Sequence, residues 1–150
     1  MRFILIVFLL LAPVIQAQDF WSTADFDALR SELSSRVGSN NAAILDRVID
    51  QEGYFAAMVH REPGPGFSEA HAEWADIYFV TSGSAAIMTG GEIVNATEGT
   101  PGEIRGSSIE GGVLRRIGQG DVVHIPAGVP HYVIVGEGEE VTYMIIKAQP

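Results

Sequence analysis

The 150-residue chain contains no cysteine. That absence excludes a disulfide framework, thiolate metal ligands and a cysteine nucleophile together. Positive charge is scarce as well: 9 Lys and Arg stand against 19 Asp and Glu, for a formal net charge of −10. A surface of that sign is repelled by nucleic acid and by anionic lipid, so neither is expected as a partner. A nucleophile elbow, a phosphate-cradling glycine loop and a catalytic-triad signature are all missing, which leaves hydrolase and nucleotide-binding readings without support. No apolar run approaches the roughly 20 residues of a membrane-spanning helix. What remains is a chain with 47% hydrophobic residues, enough for one compact core, with no internal repeat.

The first residues have the three zones of a secretory leader: a basic start (Met1-Arg2), an apolar middle (Phe3 to Leu11) and small residues ending at Ala17. Residues 1–17 are therefore expected to be a signal peptide, and the mature protein to be secreted or periplasmic and free of the membrane. Cleavage after Ala17 removes Arg2 and no acidic residue, taking the formal charge from −10 to −11. The intact mass of exported protein should correspond to a chain beginning at Gln18, and a retained leader would refute the assignment.

Residues 18–53 are expected to be an N-terminal helical segment. Ser22 or Thr23 can cap, Asp25 sits in the first turn, and Phe26, Leu29 and Leu33 recur at three- and four-residue steps before Gly38. The apolar stripe suits a cover on the outside of a sheet, with a homodimer contact as the other option. After Gly38-Ser39-Asn40-Asn41, the spacing of Ile44, Leu45, Val48 and Ile49 fits a second short helix and equally an irregular lead-in. From Tyr54 onward, short β-rich runs alternate with glycine and proline clusters: Tyr54 to His60, Asp76 to Thr81, Ala85 to Met88, Glu92 to Val94, Val113 to Ile117, Val122 to Ile125, His131 to Val135 and Val141 to Ile146. The pattern predicts a mainly β protein, an antiparallel barrel or jelly roll over residues 54–150 with one leading helix.

One segment is specific. Gly120-Asp121-Val122-Val123-His124-Ile125-Pro126-Ala127-Gly128-Val129-Pro130-His131 turns into a strand, bends at Pro126 to Gly128 and presents His131 on the returning strand. It resembles the second motif of the cupin superfamily, with Val135 where the family often has asparagine. The first cupin motif usually reads His-x-His, three or four residues, Glu, six residues and Gly. Counting back from Gly83 places Asp76 at the acidic position and Glu69 and His71 at the two histidine positions. The resemblance, which covers about Tyr54 to Lys147, implies a single cupin-type barrel and a metal tetrad of Glu69, His71, Asp76 and His131. Such a set of two imidazoles and two carboxylates suits Zn²⁺, Mn²⁺, Fe²⁺ or Ni²⁺. Asp76 has a shorter arm than glutamate, and Glu73, also two residues from His71, competes for its place.

Other polar residues have both functional and structural readings. Glu73 and His124 are candidate proton carriers, although His124 on a strand equally suits packing. His60, closing an apolar run, reads as structural. Asn95 to Gly112 is expected to be a mobile loop covering a pocket, with Glu103, Arg105, Ser107 and Ser108 as its polar candidates. Arg105 is a candidate carboxylate clamp. Trp74 and Tyr78 fall near the first motif, as pocket wall or as core. The likeness to exported single-domain bacterial cupins implies a divalent metal and a small polar molecule as ligands. Three readings stay open: a metal-dependent oxygenase or isomerase acting on a small organic acid or sugar, a ligand-binding barrel without chemistry, and a metal-free barrel acting through its surface, as a homodimer joined by exposed strands.

Overall fold

A computed structural model describes residues 20–39, 41–64 and 66–150; the expected leader lies outside them. Helix α1 (Thr23–Ser34) opens with a capping box, in which the Ser22 Oγ accepts from the Asp25 N–H and the Asp25 carboxylate accepts from the Ser22 N–H at 2.7 Å. Its apolar side packs on a sheet face. Leu33, with Phe26 and Leu29, meets Ala56, Met58 and Met144.

Ala42–Gln51 forms strand β1, paired antiparallel with β2 (Tyr54–Arg61). The helical and irregular readings of this stretch are thus corrected. A register shift between Leu45 and Ile49 interrupts the ladder, which is why apolar residues recur there at helix-like steps. Strand β2 then pairs with β12 (Val141–Ala148), and β12 with β4 (Ala75–Thr89). Both faces of this sheet are covered. On β2, Ala56 and Met58 face the helix while Ala57 and Val59 face the barrel interior; on β12, Met144 and Ile146 face outward and Tyr143 and Ile145 inward.

Strand β4 is continuous where a turn was expected at Ser82-Gly83-Ser84. Gly83 has φ +73°, and a Cβ there would collide with the Glu140 carbonyl, so glycine bends the strand without ending it. The first half of β4 pairs with β12 and β10 (Val122–Ile125), and the second half with β9 (Val113–Gly118) and β11 (His131–Ile134). Beyond β11 the sheet continues through β3 (Ser68–His71) and β7 (Glu103–Gly106) to β6 (Thr97–Glu98), while β5 (Glu92–Val94) and β8 (Ser108–Glu110) form a separate ribbon. The 95–112 stretch expected as a loop therefore contains three short strands. Among the described residues every strand pairing is antiparallel, and the sheet curls around a core of Val80, Ile87, Ile125, Val133 and Tyr143 with their neighbours.

Candidate metal centre

Strands β3, β11 and β4 bring the tetrad together. Glu69 and His71 lie two apart on β3 and share a face, and His131 on β11 is the direct cross-strand partner of Glu69. The bend at Pro126 to Gly128 is anchored to β3, because the Gly128 N–H donates to the His71 carbonyl at 2.7 Å. Asp76 stands at the start of β4, opposite Lys147 on β12.

Glu69, His71 and His131 each offer one ligating atom, all within 4.8 Å of one another. Asp76 adds another: its Oδ2 lies 3.2 Å from Nε2 of His131 and 3.5 Å from Nε2 of His71. The Glu69 oxygens stand 3.7 and 3.9 Å from the same two nitrogens. Donors at about 2.1 Å from a common ion lie roughly 3.0–3.4 Å apart, so this spacing fits a first-row divalent cation with slight contraction. The remaining contacts set the direction of each group. The other imidazole nitrogen, Nδ1, is hydrogen-bonded to Glu103 Oε2 at 2.6 Å in His71 and to the Val129 carbonyl at 3.0 Å in His131. Each Nδ1 is therefore an N–H donor, and each Nε2, once it carries no proton, turns its lone pair to the cluster. Nε2 of His71, Nε2 of His131 and Oδ2 of Asp76 are all buried, with no hydrogen-bond partner outside the cluster. Buried polar atoms are rarely left so, and three converging on one point form a cradle for a cation.

The other Asp76 oxygen, Oδ1, accepts from Lys147 Nζ at 2.6 Å. Burial favours the neutral acid at Asp76, but His131, His71 and Lys147 outweigh it and hold the carboxyl well below the usual range. At Glu69 burial is likewise overcome, chiefly by His131, and its pKa is lowered. Burial opposes a charge on His131, yet Asp76 and Glu69 together raise it to about 9. In the absence of a cation, protons compensate the carboxylates.

A cavity of about 440 Å³ adjoins the cluster. Tyr78, Glu103 and Arg105 line it, as do Glu69 and His71. The Tyr78 phenol is pushed well above its ordinary value by burial, then by Tyr143 and the nearby carboxylates, so it keeps its proton. Two candidates fall elsewhere. Glu73 is exposed in the bend after β3, outside the cavity. His124 is exposed on the outer side of β10, because Val123 and Ile125 on either side of it turn inward; it borders a separate surface pocket of about 400 Å³. Trp74 packs edge-on against Phe55, and His60 is buried, its Nδ1 2.8 Å from Thr142 Oγ1.

Sequence reasoning missed Arg61, Phe67, Tyr143 and Lys147, all lining the cavity. The available signal was alternation: Ala57-Val59-Arg61 and Tyr143-Ile145-Lys147 each continue an inward-facing series to a cation at the strand end.

No protein-family model matches the sequence, and no curated protein matches it. Solved structures do. A cupin-like protein from Thermotoga maritima superposes with a TM-score of 0.54 at 23% identity, covering 74% of this chain and 71% of that one. The chain has the cupin fold. The cupin barrel also superposes on DMSP lyase DddQ from Ruegeria pomeroyi (TM-score 0.56, 18% identity, 87% and 65% of the two chains) and on a recombinant oxalate oxidase in complex with glycolate (0.55, 17%, 92% and 64%). It spans about two thirds of the length of these two enzymes.

Proposed function

We infer that the chain is an exported cupin that binds a divalent cation through Glu69, His71, Asp76 and His131 and holds a small polar molecule in the adjoining cavity. The observation that carries this reading is the convergence of two imidazole Nε2 atoms and one carboxylate oxygen, buried and without partners outside the cluster, while the opposite side of each group is hydrogen-bonded. An ion there would supply Lewis-acid polarisation of a ligand oxygen. The chain's own residues do the rest. Glu103 fixes the His71 tautomer, Lys147 holds one oxygen of Asp76 so that the other faces the cluster, and Tyr78 keeps a proton on its hydroxyl at the cavity wall. Ala57, Val59 and Ile145 give the cavity apolar walls. Neighbours named as acting on or holding small molecules, an oxalate oxidase with glycolate and a DMSP lyase, support a small-molecule ligand.

Elemental analysis of protein purified without chelator tests the metal. About one Mn, Fe, Ni or Zn per chain is expected. A chain that stays empty after incubation with each of the four ions refutes the metal site and leaves a ligand-binding barrel.

A further inference from the structure

We propose that the cavity's ligand is a small organic acid, its acidic group clamped by Arg61 with Arg105 on the Phe67 wall and a second oxygen of the same molecule directed to the His71 and His131 cluster.

Arg61 is the first half of the clamp. It ends β2 in register with Ala57 and Val59, and so projects into the cavity, where it is only partly exposed. Its Nε donates to the Tyr143 hydroxyl at 2.8 Å, which fixes the plane of the guanidinium and leaves the two terminal nitrogens as a planar donor pair. Among the described residues it makes no salt bridge, although it shares the cavity with Glu69. A half-buried arginine without a carboxylate partner is costly unless something anionic is supplied. Tyr143 cannot supply it: burial raises the phenol pKa, and the hydroxyl stays neutral.

Arg105 is the second half of the clamp. Its guanidinium lies 4.7 Å from the centre of the Phe67 ring, and that of Arg61 lies 5.8 Å from the same ring. Glu69 reaches Arg105 only at 4.0 Å, so two guanidiniums on one aromatic wall still repel unless a further anion sits with them. The third cation, Lys147, is already committed to Asp76, and Glu103 is committed to His71. Among the described residues the carboxylates Glu69, Asp76 and Glu103 are thus engaged by Arg105, Lys147 and His71, which leaves Arg61 without one at salt-bridge distance. Arginine's planar donor pair matches a carboxylate by two parallel bonds. A sugar would need side-chain acceptors for its hydroxyls, and the rest of the lining is largely apolar, with Phe55, Ala57, Val59 and Ile145.

The second contact rests on the metal reading; the clamp does not. Calorimetric titration of the mature protein, metal-loaded and chelated, with glycolate, malonate and succinate, and with ethylene glycol and glucose as neutral counterparts, separates the two. At least one acid is expected to bind ten-fold or more tightly than either neutral compound. Arg61→Met should weaken that acid ten-fold or more with metal content unchanged. Arg61→Lys, which keeps the charge and loses the planar fork, tests the same point if the methionine variant is unstable, and should fall between. Binding of neutral compounds as tightly as acids, binding of none of the acids, or acid affinity within two-fold of wild type in both Arg61 variants would overturn the proposal. Arg61-dependent acid binding to a chain that never takes up metal would uphold the clamp and refute the metal.

Discussion

His131→Ala is expected to lose its metal outright, falling below a tenth of an equivalent per chain by elemental analysis, whereas Glu103→Ala should keep metal with an affinity weakened about 10- to 100-fold. The contrast follows from position. His131 contributes a ligand atom and is 2% exposed; Glu103 acts only through the tautomer and orientation of His71. Equal losses in the two variants would mean that Glu103 is itself a ligand, and full occupancy in His131→Ala would remove the proposed centre. The same histidine fixes the pH dependence. Its folded pKa is raised to about 9 from an ordinary 6.5, so in the metal-free chain its contribution to stability is complete below about 6.5 and is lost as pH rises through 9. The cation must displace that proton. Metal affinity should accordingly climb with pH between about 6.5 and 9, with close to one proton released per ion at pH 7.5, measured by titration in buffers of different ionisation heat. A pH-independent affinity over that interval would contradict the assignment.

Lys147→Met is expected to destabilise the metal-free protein at pH 7 by about 1.5–3 kcal/mol in chemical denaturation, the usual size of a hydrogen bond to a charged group, because His131 still faces the other oxygen of Asp76. The Asp76 side chain is fully buried, and its Oδ1 bond to Lys147 is the tie holding it to β12. The lowered pKa of Asp76 places its contribution above the unfolded-state value near 3.8, to be lost as pH falls below it. The penalty of Lys147→Met should therefore shrink toward acid pH, where an unpaired Asp76 takes up a proton. The double variant Lys147→Met with Asp76→Asn should recover part of the loss, because the carboxylate that Lys147 neutralises is gone. A loss below about 1 kcal/mol would show that Asp76 is solvated in the metal-free state.

The part of the site that could be read from the sequence was the part encoded locally. Gly120 to His131 is a strand, a bend and a returning strand within twelve residues, and its spacing alone places His131. Glu69, His71 and Asp76 followed by counting from Gly83, and the structure brings all three to His131. Illegible residues depended on distant strands. Whether Glu73 or Asp76 faced His71 turned on where β3 ends, and Arg61 and Lys147 acquire meaning only from pairing across β12. The bulge in β1 made a strand look helical, and strands as short as Thr97–Glu98 have too few residues to show any period.

Strand β4 also governs access. It is hydrogen-bonded into both halves of the cupin barrel without a break at Gly83, so the halves share one spine and cannot part like a clamshell without tearing ladders from it. Traffic to the interior is left to the rim. The most exposed residues lining the cavity are Ile44 on β1 and Arg105 on β7, one greasy and one cationic. An acidic molecule arriving there meets the charge of Arg105 before it meets the histidines.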